Sequence, residues 1–258
     1  MEAGARAVSR WSAVAMIVVG AALLAFGASV PGAQAGPPYV TDDPAPTDTG
    51  HWEIYNFVTG VHTPGDTSGE AGFDINYGAA KDLQLTLVLP LAFDDAETAD
   101  VGSGPVEMAA KYEFLHQRDG ELTPDVAVFP RLFLPTAGRR FSSGRFSLFV
   151  PLWAEKDFGK WSLFGGGGYD INPGPGERNF WMSGVVLSRT VSDKLSIGAE
   201  VDRQTPDATD AKPFTGLNLG VTYRLTPHWS LLAASGPGVQ NAGRQGQYVV
   251  YLSLKADY

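Results

Sequence analysis

Gln247-Tyr-Val-Val-Tyr-Leu-Ser-Leu-Lys-Ala-Asp-Tyr258, at the end of the sequence, has a strict period of two. Tyr248, Val250, Leu252, Leu254, Ala256 and Tyr258 share one face, while Gln247, Val249, Tyr251, Ser253, Lys255 and Asp257 share the other. That alternation is a strand's. An apolar face that begins and ends in Tyr, opposite a face that carries charge, suits lipid outside, a wet lumen inside and aromatic residues at both interfaces. A soluble sandwich shares the pattern, but a chain ending on this strand would then carry an aggregation-prone edge. Pairing with the first strand removes the edge.

The same pattern recurs upstream. Leu83, Leu85, Leu87, Leu89, Leu91 and Phe93 fall on one side of Leu83-Gln-Leu-Thr-Leu-Val-Leu-Pro-Leu-Ala-Phe93, and are expected to meet lipid. Strands are also predicted at 51–61, 73–79, 106–114, 125–135, 144–156, 161–171, 179–190, 194–204, 214–225 and 229–236. With 83–93 and 247–258 these make about twelve, joined by connections that alternate between short and long. The short ones lie near Ala80, Phe158, Ser192 and Pro227, with Tyr77, Phe114, Trp161, Tyr223, Trp229 and Tyr258 close by as an aromatic girdle. The expectation is an all-β, antiparallel transmembrane barrel over 51–258, with both termini periplasmic. Pro90, Pro130 and Pro151 fall inside strands, where each removes a ladder hydrogen bond, so bulges are expected there. Gly165-Gly-Gly-Gly168 lacks the Lys-Ser/Thr and the helix of a phosphate loop, and reads as a bulge or a close backbone approach.

Residues 1–35 read as a signal peptide: Arg6 and Arg10, an apolar run from Trp11 to Phe26, then Ala33-Gln34-Ala35 as a cleavage site. A retained helix is the rival, but Gly20, Gly27, Ser29 and Pro31 limit its span. Removing two Arg and one Glu moves the net charge of −9 to −10, and no basic cluster suits nucleic acid. There is no Cys, so neither disulfides nor thiolate metal sites are available. No later apolar run approaches the roughly 20 residues of a membrane helix, so membrane residence requires a barrel. Residues 36–50 hold four Pro and three Asp, too irregular for a ladder. They read as an extended periplasmic segment, too short to be a plug.

Pro38-Tyr-Val-Thr-Asp-Asp-Pro44, Gly50-His-Trp-Glu-Ile-Tyr55, Asp82-Leu-Gln-Leu-Thr-Leu-Val-Leu-Pro90, Gly144-Arg-Phe-Ser-Leu-Phe-Val-Pro-Leu-Trp153, Gly165-Gly-Gly-Gly-Tyr169 and Asp193-Lys-Leu-Ser-Ile-Gly-Ala-Glu200 resemble a known group. They are similar to the outer-membrane transporter-like proteins grouped with the phenol-degradation MetA-pathway family, over essentially the whole mature chain. The resemblance implies an outer-membrane barrel of a Gram-negative bacterium that moves small molecules, aromatic ones among them. It brings no catalytic residues and no cofactor.

The alternation puts Glu107, Lys111, Glu113, Arg131, Glu200, Asp202, Arg224 and Lys255 on the lumen side, as pore-lining candidates. Mixed charges along a narrow passage set solute selectivity. The same charges could instead form an ion-paired network that fills the lumen, and twelve strands lie between filled and open barrels. Four His are scattered across strand ends and turns, with neither Gly-x-Ser-x-Gly nor His-Glu-x-x-His, so no catalytic site and no metal site is expected. A passive channel for small solutes is the leading reading. A non-conducting structural or adhesive barrel is the alternative, and an outer-membrane lipid hydrolase is third. Expected partners are outer-membrane lipid, small solutes and the barrel-assembly machinery, through the C-terminal strand.

Overall fold

The computed structural model describes residues 37–95, 99–118, 120–138, 140–141 and 144–258. The signal segment expected at 1–35 lies outside the described residues. The elements run β1 (Trp52–Thr63), β2 (Asp66–Ala80), β3 (Leu83–Asp94), β4 (Asp100–Ser103), β5 (Glu107–Leu115), β6 (Asp125–Val128) and β7 (Arg131–Phe133). Then come β8 (Ser147–Phe158), β9 (Trp161–Ile171), β10 (Phe180–Ser192), β11 (Leu195–Gln204), β12 (Phe214–Thr226) and β13 (Trp229–Gln240). A one-turn helix, α1 (Ala242–Gln245), precedes β14 (Tyr248–Asp257).

Closure comes from the stretch that opened the sequence analysis. β14 pairs antiparallel with β1 from Glu53↔Asp257 to His62↔Tyr248, while β1 pairs on its other side with β2. No edge is left there for another chain to join. Two segments add no barrel strand. β4 is a flap on the last four residues of β3, and β6 and β7 are two halves of one strand, each lying between β5 and β8. The barrel is thus twelve-stranded. Five of its turns are two residues long: Lys81-Asp82, Gly159-Lys160, Asp193-Lys194 and Pro227-His228 share one end of the barrel, and Pro64-Gly65 joins β1 to β2 at the other, where the alternation predicts a longer loop. The start of β1 and the C-terminal residue lie with the four that share an end, since Trp52 and Tyr258 exchange N–H···O=C bonds of 2.8 and 2.9 Å.

Leu85, Leu87, Leu89 and Leu91 are exposed while Gln84, Thr86, Val88, Pro90 and Ala92 are buried, so the expected face of β3 points outward. Phe93 departs from its series. It is buried because its ring lies across Gly69, its cross-strand partner, and reaches Gly60 beyond it. Aromatic residues mark the rims: Trp52 stacks beside Tyr77 at 4.5 Å at the short-turn end, and Arg189 sits 5.1 Å over Trp161 there.

The bulges expected at prolines are not where the barrel puts them. The register shifts lie at Gly78/Ala80, Glu113/Leu115, Thr190/Ser192, Thr215/Gly216 and Arg224/Thr226. Pro90 stays in register with Gly72, and Pro151 with Gly168. Each proline instead faces a gap in the neighbouring strand. Pro90 lies between the stretch of β3 that pairs with β5 and the stretch that pairs with β4. Pro151 lies opposite the break between β6 and β7, which Pro130 creates, and its carbonyl still accepts from Phe129 at 3.1 Å. A residue without an N–H costs least where no acceptor waits.

The outer face yields a depth-dependent prediction. Leu87→Arg, near mid-membrane, should destabilise the barrel by about 2–4 kcal/mol, and Leu225→Arg, beside a two-residue turn, by about 0–1 kcal/mol. Reversible urea unfolding in lipid vesicles measures both, and equal losses would contradict the assigned depth.

Candidate functional site in the lumen

The expectation that residues 36–50 lie outside the barrel, too short to plug it, is corrected by the structure. Residues 39–49 form a strap that runs back from β1 into the lumen. The reversal is local: Gly50, at φ +83°, donates its N–H to Gly78 O at 2.7 Å, and His51 N–H donates to Asp48 O at 2.9 Å. Prolines 44 and 46 keep the strap from becoming another ladder strand. Its side chains and backbone must therefore bond to the wall.

They do so on opposite sides. On β3, Gln84 Oε1 accepts from Thr47 N–H at 2.8 Å and from Thr47 Oγ1 at 3.0 Å, while Gln84 Nε2 donates to Asn76 at 2.6 Å. On β11, Glu200 takes Thr41 N–H at 2.6 Å and Val40 N–H at 3.3 Å, and Asn218 holds that carboxylate from β12 at 2.7 Å. On β5, Lys111 Nζ reaches Asp42 at 3.1 Å, Asp43 at 3.6 Å and the Ala45 carbonyl at 3.3 Å. Room for the strap comes from inward glycines. A Cβ on Gly184 would strike Thr41 Oγ1, and one on Gly198 or Gly220 would strike the Tyr39 ring. Thr41, Asp43 and Pro44 are fully buried, as are Trp153, Phe164 and Val186 on the wall around them.

All eight lumen candidates lie on the inner side, seven of them in three groups and Glu113 apart. Lys111 and Glu200 hold the strap, with Asp202 beside Glu200 through Asn218 Nδ2 at 3.1 Å. Glu107 and Arg131 form a forked pair at 2.7 and 2.8 Å toward the long-loop end. Lys255 sits between Glu53 at 3.0 Å and Asp257 at 2.8 Å, over the Tyr55 ring at 5.4 Å, and Arg224 acts on Asp257 from β12. Glu113 is at the short-turn rim. Asp42 and Asp43 are the strap's charged contact, through Lys111. The inward glycines at 184, 198 and 220 are the trace of the strap in the sequence, interrupting inner faces otherwise made of larger residues.

Among the described residues, one group has the spacing to hold an ion: Asp82, Glu113 and His116 at that rim, with ligand atoms within 4.8 Å of one another. Both ring nitrogens of His116 already face a carboxylate, Nδ1 toward Glu113 at 2.8 Å and Nε2 toward Asp82 at 3.3 Å. The arrangement is a clasp between the β2–β3 turn and the end of β5. Slight burial disfavours the imidazolium, but Glu113 and then Asp82 outweigh it and raise the His116 pKa above its ordinary value.

No protein-family model matches the sequence, and no curated protein is detectably similar to it. Its fold is similar to that of the COG4313 outer membrane channel from Pseudomonas putida F1, at 13% identity and a TM-score of 0.66, over 87% of this chain and 100% of that one. A looser likeness, at 14% identity and a TM-score of 0.42, is to the translocator domain of the autotransporter NalP from Neisseria meningitidis, over 81% of this chain and 88% of that one. The all-β antiparallel barrel expected from the sequence is the fold the chain has.

Two outcomes test the geometry. Glu200→Gln replaces one acceptor oxygen with a donor, so the strap should open more easily by about 1.5–3 kcal/mol. Faster amide exchange at Val40 and Thr41, with barrel amides unchanged, reports it. An NMR titration of His116 should give a pKa above about 6.5 that falls in Asp82→Asn. The clasp is therefore present at acid pH and fades as pH rises through that value.

Proposed function

We propose that the chain is an outer-membrane channel for small solutes whose lumen is shut by its own N-terminal strap and opens when the strap releases. The observation that carries this reading is how the strap is held. Its bonds to Gln84, Glu200 and Lys111 are hydrogen bonds and ion pairs rather than a greasy seal. Such contacts can be exchanged for water at a net cost of about 0.5–1.5 kcal/mol for the neutral ones and about 1.5–3 kcal/mol for those to charged groups. The ladder of the wall, with lipid on one side, has no such exchange available. The strap is the part of this barrel that can move.

In this reading residues 1–35 direct export, the short turns and both termini are periplasmic, and the barrel-assembly machinery receives the strand 247–258. Release of the strap bares Lys111 and Glu200, and Glu107, Glu113, Arg131, Asp202, Arg224 and Lys255 line the rest of the passage. Aromatic bodies among the solutes are supported by the family resemblance and by the inward cluster of Phe129, Phe149 and Trp153. The full burial of Thr41, Asp43 and Pro44 favours a second reading, a barrel that stays shut and serves a structural role.

Planar-bilayer recording separates the two. The mature chain should give small or rare conductance steps, and a chain lacking residues 37–48 should give larger, sustained ones. Gly184→Val, which displaces Thr41, should move the intact chain toward the strapless behaviour. Silence from a strapless barrel shown to be folded would establish the structural reading. Within the open state, Glu107→Gln, Glu200→Gln and Asp202→Gln together should lower cation preference if these carboxylates line the passage.

A further inference from the structure

Beside the strap and toward the long loops, the lumen holds residues that make none of the strap's hydrogen bonds. One side is aromatic: Phe129, Phe149 and Trp153 form a buried cluster, with Phe133 and Met182 packed against it. The inner faces also carry carboxylates, Glu70 and Asp74 on β2, Glu107 on β5 and Asp170 on β9. Among the described residues, Arg131 is the cation whose charge bears on Glu70, Asp74 and Asp170, and its fork is already spent on Glu107.

Asp170 is 7% exposed, pairs across the ladder with Phe149, and its Oδ1 is buried without a hydrogen-bond partner among the described residues. A fold that buries a carboxylate oxygen and leaves it unpaired bears a desolvation cost with no return inside the protein. The aromatic wall next to it already accepts cations. Lys111 Nζ lies 5.0 Å from the Phe129 ring centre, and the Arg131 guanidinium lies 5.6 Å from Phe129 and 5.8 Å from Phe133. Buried π faces attract a cation most strongly when the site is dry.

We propose that this part of the lumen recognises organic cations, with an ammonium or guanidinium charge held by Asp170 in the field of the other lumen carboxylates and an apolar or aromatic body against Phe133, Phe149 and Met182. An aromatic anion of the same size meets repulsion from those carboxylates and finds the guanidinium engaged. The part this site plays in passage rests on the channel reading, whereas its binding does not.

The test is calorimetry on the mature full chain folded in detergent micelles, with phenyltrimethylammonium and benzoate as probes. Phenyltrimethylammonium should bind and benzoate should not. Asp170→Asn should weaken the cation by about tenfold, as expected for a lost charged partner. Glu70→Gln is the second variant, needed if Asp170→Asn fails to fold by heat-dependent gel mobility. Absent cation binding, benzoate binding of equal strength, or unchanged affinity in a folded variant would each overturn the inference. A protein that binds the cation yet never conducts, with or without the strap, upholds this site and overturns the channel. One that conducts with a preference for benzoate overturns the site and keeps the channel.

Discussion

Every backbone N–H and C=O that faces hydrocarbon must find its partner within the protein, because lipid offers none. The pairing of β14 with β1, ten residues long without a register shift, is where this barrel meets that demand. Other features answer to it. Pro90 and Pro151 are tolerated because the barrel places each opposite a gap in the adjacent strand. Phe93 covers two cross-strand glycines, and so turns a weak point of the outer wall into a packed one. Once the wall is sealed by its own ladder, whatever polar chemistry remains is confined to the lumen.

Inside, the physical problem is reversed. A twelve-stranded lumen lined by carboxylates, lysines and arginine cannot be filled by apolar side chains without stranding charge. The strap meets this with a chain that is itself polar. Its amides satisfy Glu200, its Asp pair satisfies Lys111, and its Thr47 satisfies Gln84. Inner-face glycines let backbone approach backbone, which larger residues would prevent. The result is a strap held in the lumen by exchangeable contacts, on which both the channel reading and its structural rival depend.

The pairing of charge differs along the axis. Around the strap each lysine is bonded directly to two carboxylates, Lys255 to Glu53 and Asp257 and Lys111 to Asp42 and Asp43. Toward the long loops, the Arg131 fork is spent on Glu107, and Asp170 Oδ1 has no hydrogen-bond partner among the described residues, with the aromatic cluster next to it. The first arrangement closes on itself. The second is left open for a cation supplied from outside.

The sequence by itself determined the wall. Period-two alternation placed Leu85 to Leu91 outward and Glu107, Lys111, Glu200 and Lys255 inward, and the connection lengths gave the strand number, because side-chain direction in a strand is a local property. Tertiary structure alone decided what fills the wall. Tyr39 to Thr49 carry no periodicity, and their partners lie far along the chain, as Thr41 and Glu200 do, so nothing local distinguishes a tail in solution from a strap in the lumen. Only closure of the barrel brings β3, β5 and β11 around those residues. The glycines at 184, 198 and 220 take on meaning once there is a backbone for them to admit.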